Sequence, residues 1–188
     1  MLRRFVLRPV ALATVLLLSS VGPLAAQAAP PARNRPLIAL IDTFLLRPFN
    51  DDLRVGLLDS ANVRPDVMVD VTASVTPFIC YGDTATAIRA LDGLLMTAYV
   101  AGNMREQLRT GRNGDASEFG LRAELAVYDV IRSRVANYFV PELNEWKTVL
   151  AAGRLPAYAD SLRRHPLPDC VQKPARFPPG AQLGPTRP

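Results

Sequence analysis

Residues 83–112, DTATAIRALDGLLMTAYVAGNMREQLRTGR, decide the fold class of this chain. Apolar and small side chains recur there at steps of three and four residues, as one face of an α-helix requires. The repeating positions are Ile88, Leu91, Leu95, Ala98 and Gly102. Gly111 or Gly114 can end the helix in a left-handed turn, and arginines gather before it, where the helix dipole favours positive charge. The stretch predicts one long amphipathic helix.

Shorter helical patterns lie on both sides of the long helix. The segments are 37–45, 51–62, 115–138, 141–153 and 156–165. Asn50 is expected to cap the second helix, and Asp115 with Glu118 has the spacing of a capping box. Pro141 suits the first turn of the next helix. The chain is therefore predicted to be mainly α, with a single compact bundle of five to six helices over residues 37–165.

Residues 66–76 do not follow the helical period. Val67, Val69 and Val71 alternate with polar or flexible residues, and this alternation is typical of a half-buried strand. A strand needs a partner for its backbone hydrogen bonds, and no second strand is evident. An extended segment packed on helices and a short helix are therefore the two alternatives.

The first 28 residues have the pattern of a secretory signal peptide. Arg3, Arg4 and Arg8 precede an apolar run at 10–18, and small residues surround Ala28. The run is shorter than the roughly 20 residues that a membrane-spanning helix needs. We expect cleavage near Ala28, export to the periplasm or beyond by the general secretory route, and no transmembrane segment in the mature chain.

Proline-rich segments border the helical region. Residues 29–36 form a short lead-in, and residues 166–188 form a basic tail that is expected to be largely disordered. Loss of the three leader arginines lowers the formal net charge from +5 to +2. A nearly neutral chain without a recognisable nucleic-acid module excludes a nucleic-acid partner. The tail either contacts an anionic envelope surface or keeps the chain in solution.

Two cysteines, Cys80 and Cys170, lie 90 positions apart. In an oxidising compartment they are expected to form a disulfide that holds the tail across the helices. A redox pair or a metal site would need a closer cysteine spacing or several histidines, and the single histidine, His165, is expected at the end of the last helix. Since calcium loops and glycine-rich phosphate loops are also missing, no cofactor and no metal are expected.

Candidate functional residues fall into two groups. The first is a contact patch on the long helix, made of Tyr99, Asn103, Arg105 and Arg109, since tyrosine and arginine are favoured at protein interfaces. Its alternative is a solvated helix end with Tyr99 partly in the core. The second group is six acidic residues on predicted helices, any two of which could form the carboxylate pair of an enzyme that works without histidine: Asp92, Glu118, Glu124, Asp129, Glu142 and Glu145. Their alternative is a solvated position on a helix surface.

The predicted export, the helix content and the lack of a recognisable catalytic motif favour a non-enzymatic protein that binds another protein or an envelope component. In its architecture the chain is similar to periplasmic immunity proteins, which combine a signal peptide, helices and a disulfide. That similarity includes no diagnostic motif, so it assigns no role to any residue. The alternative function is an envelope-directed hydrolase that uses a pair of carboxylates.

Overall fold

The long helix predicted from residues 83–112 is the centre of the fold in the computed structural model, which describes residues 30–165, 170 and 172–177. The described residues contain six α-helices and no β-strand, which confirms the mainly α fold class. The helices are α1 (Arg35–Leu46), α2 (Asp51–Asn62), α3 (Thr86–Thr110), α4 (Ser117–Arg134), α5 (Pro141–Ala151) and α6 (Leu155–Arg164). The predicted signal peptide lies outside the described residues.

The helix ends follow the predicted caps in most places. The Asn50 side chain accepts a hydrogen bond from the Leu53 amide at 3.1 Å, and Gly111 ends α3 with φ 68°. Helix α4 differs, because the carboxylate of Asp115 binds the Asn103 amide and the Ser117 hydroxyl and does not complete a capping box.

Helix α4 also ends at Arg134, earlier than the predicted end near residue 138. Val135, Tyr138 and Val140 are buried in the connection that follows, which contains a turn at residues 136–137. Apolar residues therefore continue beyond the helix, and this explains why the pattern predicts too long a helix.

The core forms mainly where α3 packs along α4. Helices α1 and α2 also contact α3, while α5 and α6 contact α4. Two glycines allow the close approach of α3 and α4: a Cβ at Gly102 would lie 2.3 Å from the carbonyl oxygen of Phe119, and one at Gly120 would lie 2.7 Å from the Tyr99 ring. Neither position has room for a side chain unless the two helices move apart.

Residues 66–76 form neither a strand nor a regular helix: 67–72 have no regular secondary structure, and 73–75 form a turn in which the Val75 and Thr76 amides donate to the Thr72 carbonyl at 3.1 and 3.0 Å. The side chain of Gln107 on α3 supplies the hydrogen bonds that a neighbouring strand would have made. Its oxygen accepts from the Met68 amide at 3.0 Å, and its nitrogen donates to the Met68 carbonyl at 2.5 Å. One buried side-chain amide thus pairs both backbone groups of Met68 in a segment that has no neighbouring strand.

A segment of the tail lies against the helical domain. We call residues 172–177 the strap. The Lys173 amide donates to the Cys80 carbonyl at 2.8 Å, and the Gly82 amide donates to the Lys173 carbonyl at 3.0 Å. Cys80 and Cys170 are within disulfide distance, with their Cα atoms 5.1 Å apart, as the sequence predicts. The prediction of a largely disordered tail is therefore wrong for the strap, whose backbone and side chains make defined contacts with the helical domain.

Candidate functional site

The structure separates the four residues of the predicted contact patch. These are Tyr99, Asn103, Arg105 and Arg109. Tyr99 and Asn103 are fully buried on the side of α3 that faces α4 and the loop before it. Arg105 forms an ion pair with Asp42 at 2.6 Å, and Arg109 pairs with Glu106 at 2.7 Å. The four residues do not form one surface, and a binding role for them stays a prediction.

The Asn103 side chain makes buried hydrogen bonds that the sequence pattern does not predict. Its side-chain oxygen accepts hydrogen bonds from the Ala116 amide at 2.9 Å and from Gln107 at 2.7 Å, while its nitrogen donates to Asp115. The buried amides of Asn103 and Gln107 thereby connect α3 to the loops on both of its sides. Buried polar groups of this kind must be paired, and here they are.

The six candidate carboxylates are dispersed over the molecule. Glu118 and Asp129 form partly exposed ion pairs, with Arg122 and Lys147 respectively. Glu124 is fully buried, and among the described residues neither of its carboxyl oxygens has a hydrogen-bond partner. The structure brings only two of the six together in one cavity, namely Glu142 and Glu145 on α5.

This cavity, which we call the strap cleft, has a volume of about 330 Å³. It lies between the turn at Pro77–Cys80, helices α5 and α6, and the strap. Its lining residues are Ala73, Ser74, Pro77, Cys80, Glu142, Glu145, Trp146, Tyr158, Cys170 and Lys173. The size is at the lower end of small-molecule sites, and the mixture of apolar, aromatic and a few polar groups is typical of them.

Two aromatic side chains form a rigid pair in the strap cleft. The Trp146 ring nitrogen on α5 donates to the Tyr158 hydroxyl on α6 at 2.8 Å, and the ring centroids are 6.1 Å apart. Trp146 is 3% exposed, whereas Tyr158 is half-buried. Burial raises the pKa of Tyr158, the hydrogen bond from Trp146 acts against this shift, and the nearby charge of Glu145 adds to it. Glu145 therefore lies close enough to influence the aromatic pair.

Glu142 is held by two partners at the edge of the cleft. It accepts hydrogen bonds from Lys173 of the strap and from the Tyr81 hydroxyl, the latter at 2.9 and 3.0 Å. Burial acts to raise the pKa of Glu142, but the hydrogen bonds from Lys173 and Tyr81 outweigh it and the pKa lies below its usual value. Burial, together with the hydrogen bond to Glu142, raises the pKa of Tyr81 to about 12. Glu142 is thus a stable carboxylate.

The strap is fixed next to the cleft by Arg176. Its side chain is 2% exposed and binds Asp83 at 2.6 Å and both oxygens of Asp92 at 2.7 and 2.9 Å. The rings of Tyr81 and Tyr138 lie 4.8 and 5.6 Å from the guanidinium. Burial acts to lower the pKa of Arg176, but the carboxylates of Asp92 and Asp83 outweigh it and raise the pKa. We call this cluster the arginine anchor.

A neighbouring cavity of 290 Å³ beside α3 is a weaker candidate. Asp83 and Asp92 contribute to its lining, but both carboxylates are already bound to Arg176. The described residues also contain no group of three or more His, Cys, Asp or Glu side chains that could hold a metal ion. The strap cleft is therefore the better candidate for a functional site.

Sequence reasoning missed most of the strap cleft. The sequence places Glu142 and Glu145 among six candidate carboxylates without pairing them, and it places Trp146 and Tyr158 in two separate predicted helices. Their spacing within α5 and α6 gives no information about how the two helices meet. The one available signal was the cysteine pair, because a disulfide between Cys80 and Cys170 must bring the tail next to the turn at Pro77–Cys80.

No protein-family profile matches the chain, and neither a curated protein nor a solved structure is similar to it. Its function must therefore be argued from its own residues. In the part of the chain that the structure describes, no helix is long and apolar enough to cross a membrane.

Proposed function

We propose that this protein is exported to the bacterial periplasm and binds another protein or an envelope component through the strap cleft, without catalysing a reaction. The observation that carries the proposal is the way in which the cleft is built. A disulfide, two backbone hydrogen bonds and a buried arginine hold its outer wall in place. A pocket whose wall is already ordered loses little conformational entropy when a ligand binds.

Export is supported by two independent features. The basic and apolar leader with its small-residue ending is typical of secreted chains. A disulfide persists in oxidising compartments and is rare in the cytosol. Fractionation of a native host tests this part: we expect a form that lacks residues 1–28 in the periplasmic fraction. A full-length form that still begins at Met1 and resides in the cytosol would contradict export.

The chemistry of Glu142 favours binding over hydrolysis. A carboxylate-pair hydrolase needs one carboxyl group that keeps its proton near neutral pH, so that it can protonate the leaving group. Lys173 and Tyr81 lower the pKa of Glu142 and so stabilise its ionised form. Their hydrogen bonds also occupy the carboxylate oxygens that a substrate would have to reach.

Position-specific photocrosslinking tests the use of the cleft. A photoreactive amino acid is placed at Ala73, which lines the cleft, and at Val55, which is 49% exposed on α2, in the full-length oxidised protein. After irradiation in an envelope extract, we expect a discrete product from position 73 that position 55 does not give. The same products from both positions, or none from position 73, would contradict the proposal. Turnover of a cell-wall polymer by the purified protein would favour the hydrolase.

A further inference from the structure

The charges of the strap cleft do not cancel. Glu142 and Lys173 form an ion pair, which accounts for one negative and one positive charge. Glu145 is exposed on the same face of α5, one turn further along. None of the ion pairs between described residues involves Glu145. The described part of the lining therefore keeps one unpaired negative charge.

Lys173, the one cation among the described lining residues, is unsuited to bind an anion. Lys173 is held by Glu142, and its amino group lies 5.0 Å from the centroid of the Tyr81 ring. To bind a phosphate or a carboxylate, Lys173 would have to leave the partly buried carboxylate of Glu142 without its cationic partner, which is costly. An anionic ligand is thus disfavoured at this site.

The aromatic pair adds to the attraction for a cation. Tyrosine and tryptophan rings attract positive charge through their electron-rich faces, and this attraction is strong for ammonium groups that carry apolar substituents. Glu145 lines the same cavity as the rings of Trp146 and Tyr158. A cation in the cleft would therefore meet a carboxylate and an aromatic ring together.

We infer that the strap cleft recognises an alkylammonium group, that is, a positive charge carried on an apolar body. This inference rests on the proposed function, since it assumes that the cleft is a binding site. The required chemistry is shared by free quaternary amines and by the headgroups of zwitterionic lipids. The cleft would hold the charged group between Glu145 and the rings of Trp146 and Tyr158.

The test compares two probes of the same shape. Choline and its neutral isostere 3,3-dimethylbutan-1-ol are titrated into the full-length oxidised protein at matched ionic strength. Trp146 is the only tryptophan of the chain, so its emission reports on the cleft alone. Calorimetry detects binding that leaves the emission unchanged. Because a cation beside an aromatic ring and a carboxylate gains about 1 kcal/mol or more, we expect choline to bind at least about fivefold more tightly than the isostere.

Two variants connect this preference to the cleft. Glu145→Gln should reduce the preference for choline to about twofold or less, because it removes the unpaired charge without changing the size of the side chain. Asp59→Asn removes one charge from the exposed face of α2 and should leave the preference unchanged. An equal loss in both variants would show that net charge alone attracts choline, and it would overturn the inference.

The remaining outcomes separate the inference from the proposed function. If the isostere binds as tightly as choline, the cleft is a binding site for apolar groups, so the inference fails and the proposed function stands. If neither probe binds and position 73 gives no crosslinked product, both fail. Co-sedimentation with phosphatidylcholine vesicles, but not with phosphatidylglycerol vesicles, would identify a lipid headgroup as the source of the ammonium. Binding of choline without co-sedimentation would identify a free amine.

Discussion

Arg176 is the buried cation of the strap. Its buried guanidinium connects the strap to Asp83 and Asp92, which lie 93 and 84 positions earlier in the chain. The two carboxylates face one guanidinium, so its removal would leave negative charges in a poorly solvated cluster. The loss of one partner from a buried ion pair costs far more than the loss of an exposed pair.

We therefore expect Arg176→Ala to lower the free energy of unfolding by about 3–5 kcal/mol. Arg163→Ala is the matched control, because Arg163 pairs with Asp160 at the surface, where both side chains are more than half exposed. The control should cost less than about 1 kcal/mol. Urea titration followed by Trp146 emission measures both. Equal losses in the two variants would show that the arginine anchor does not hold the strap.

Glu124 makes stability depend on pH. Burial raises its pKa well above the usual value, and no described group offsets this by a hydrogen bond. The folded state therefore holds a proton that the unfolded state releases as pH rises above about 4.3. The stability associated with this group is fully present at low pH and is lost as pH rises towards the folded-state pKa.

Glu124→Gln tests this directly, because glutamine has the same shape but does not ionise. When both are measured from pH 5 to pH 8, we expect the variant to gain stability relative to the natural protein as pH rises, by at most about 1.4 kcal/mol per pH unit and only until the folded-state pKa is reached. Glu118→Gln on the same helix, which removes the ion pair with Arg122, should not show this gain with rising pH. Parallel urea midpoints for the natural protein and the Glu124 variant across this range would contradict the prediction.

At the level of elements, α3 contains two glycines with opposite surroundings. A Cβ at Gly102 would collide with α4, whereas a Cβ at Gly93 would meet nothing within 4 Å. We expect Gly102→Ala to destabilise the protein by about 1–3 kcal/mol through overpacking. Gly93→Ala should stabilise it by about 0.5–1 kcal/mol, since alanine favours the helix. Thermal unfolding measures both, and shifts of the same sign would show that α3 and α4 are not closely packed at Gly102.

The helices could be predicted because the residues that determine a helix and its ends lie close to it in the sequence. The period of α3, the Asn50 cap and the Gly111 turn all lie within one or two helical turns of the residues that they affect. The alternating valines of 66–76 are typical of a strand, but the segment has no neighbouring strand. The Met68 backbone pairs with the Gln107 side chain, which lies about 40 positions away, and a local pattern contains no information about this contact.

The strap cleft could not be derived from local patterns. Helical period alone does not place the Trp146–Tyr158 pair opposite the strap, and composition favours a disordered tail. The arginine anchor depends on charges more than 80 positions apart in the chain. Among the described contacts of the tail, only the cysteine pair could be predicted from the sequence, because the two cysteines of a secreted chain commonly form a disulfide.

For the molecule as a whole, the disulfide closes a long loop. The bridge joins positions 90 residues apart, and loops of this length gain up to about 4–5 kcal/mol in the chain-entropy model. We expect the double variant Cys80→Ser/Cys170→Ser to unfold at a lower temperature than the oxidised protein. Reductant should lower the melting temperature of the natural protein but not that of the variant. Identical melting curves with and without reductant would show that the bridge does not stabilise the fold.

The most direct test of the strap as a fixed wall of the cleft is quenching of Trp146 emission by acrylamide. A chain that ends at Phe177 is compared with one that ends at Val171, which retains both cysteines but lacks the strap. Trp146 is 3% exposed in the presence of the strap, so we expect weak quenching in the longer chain and clearly stronger quenching in the shorter one. Equal quenching in the two chains would contradict the claim that the strap encloses the cleft.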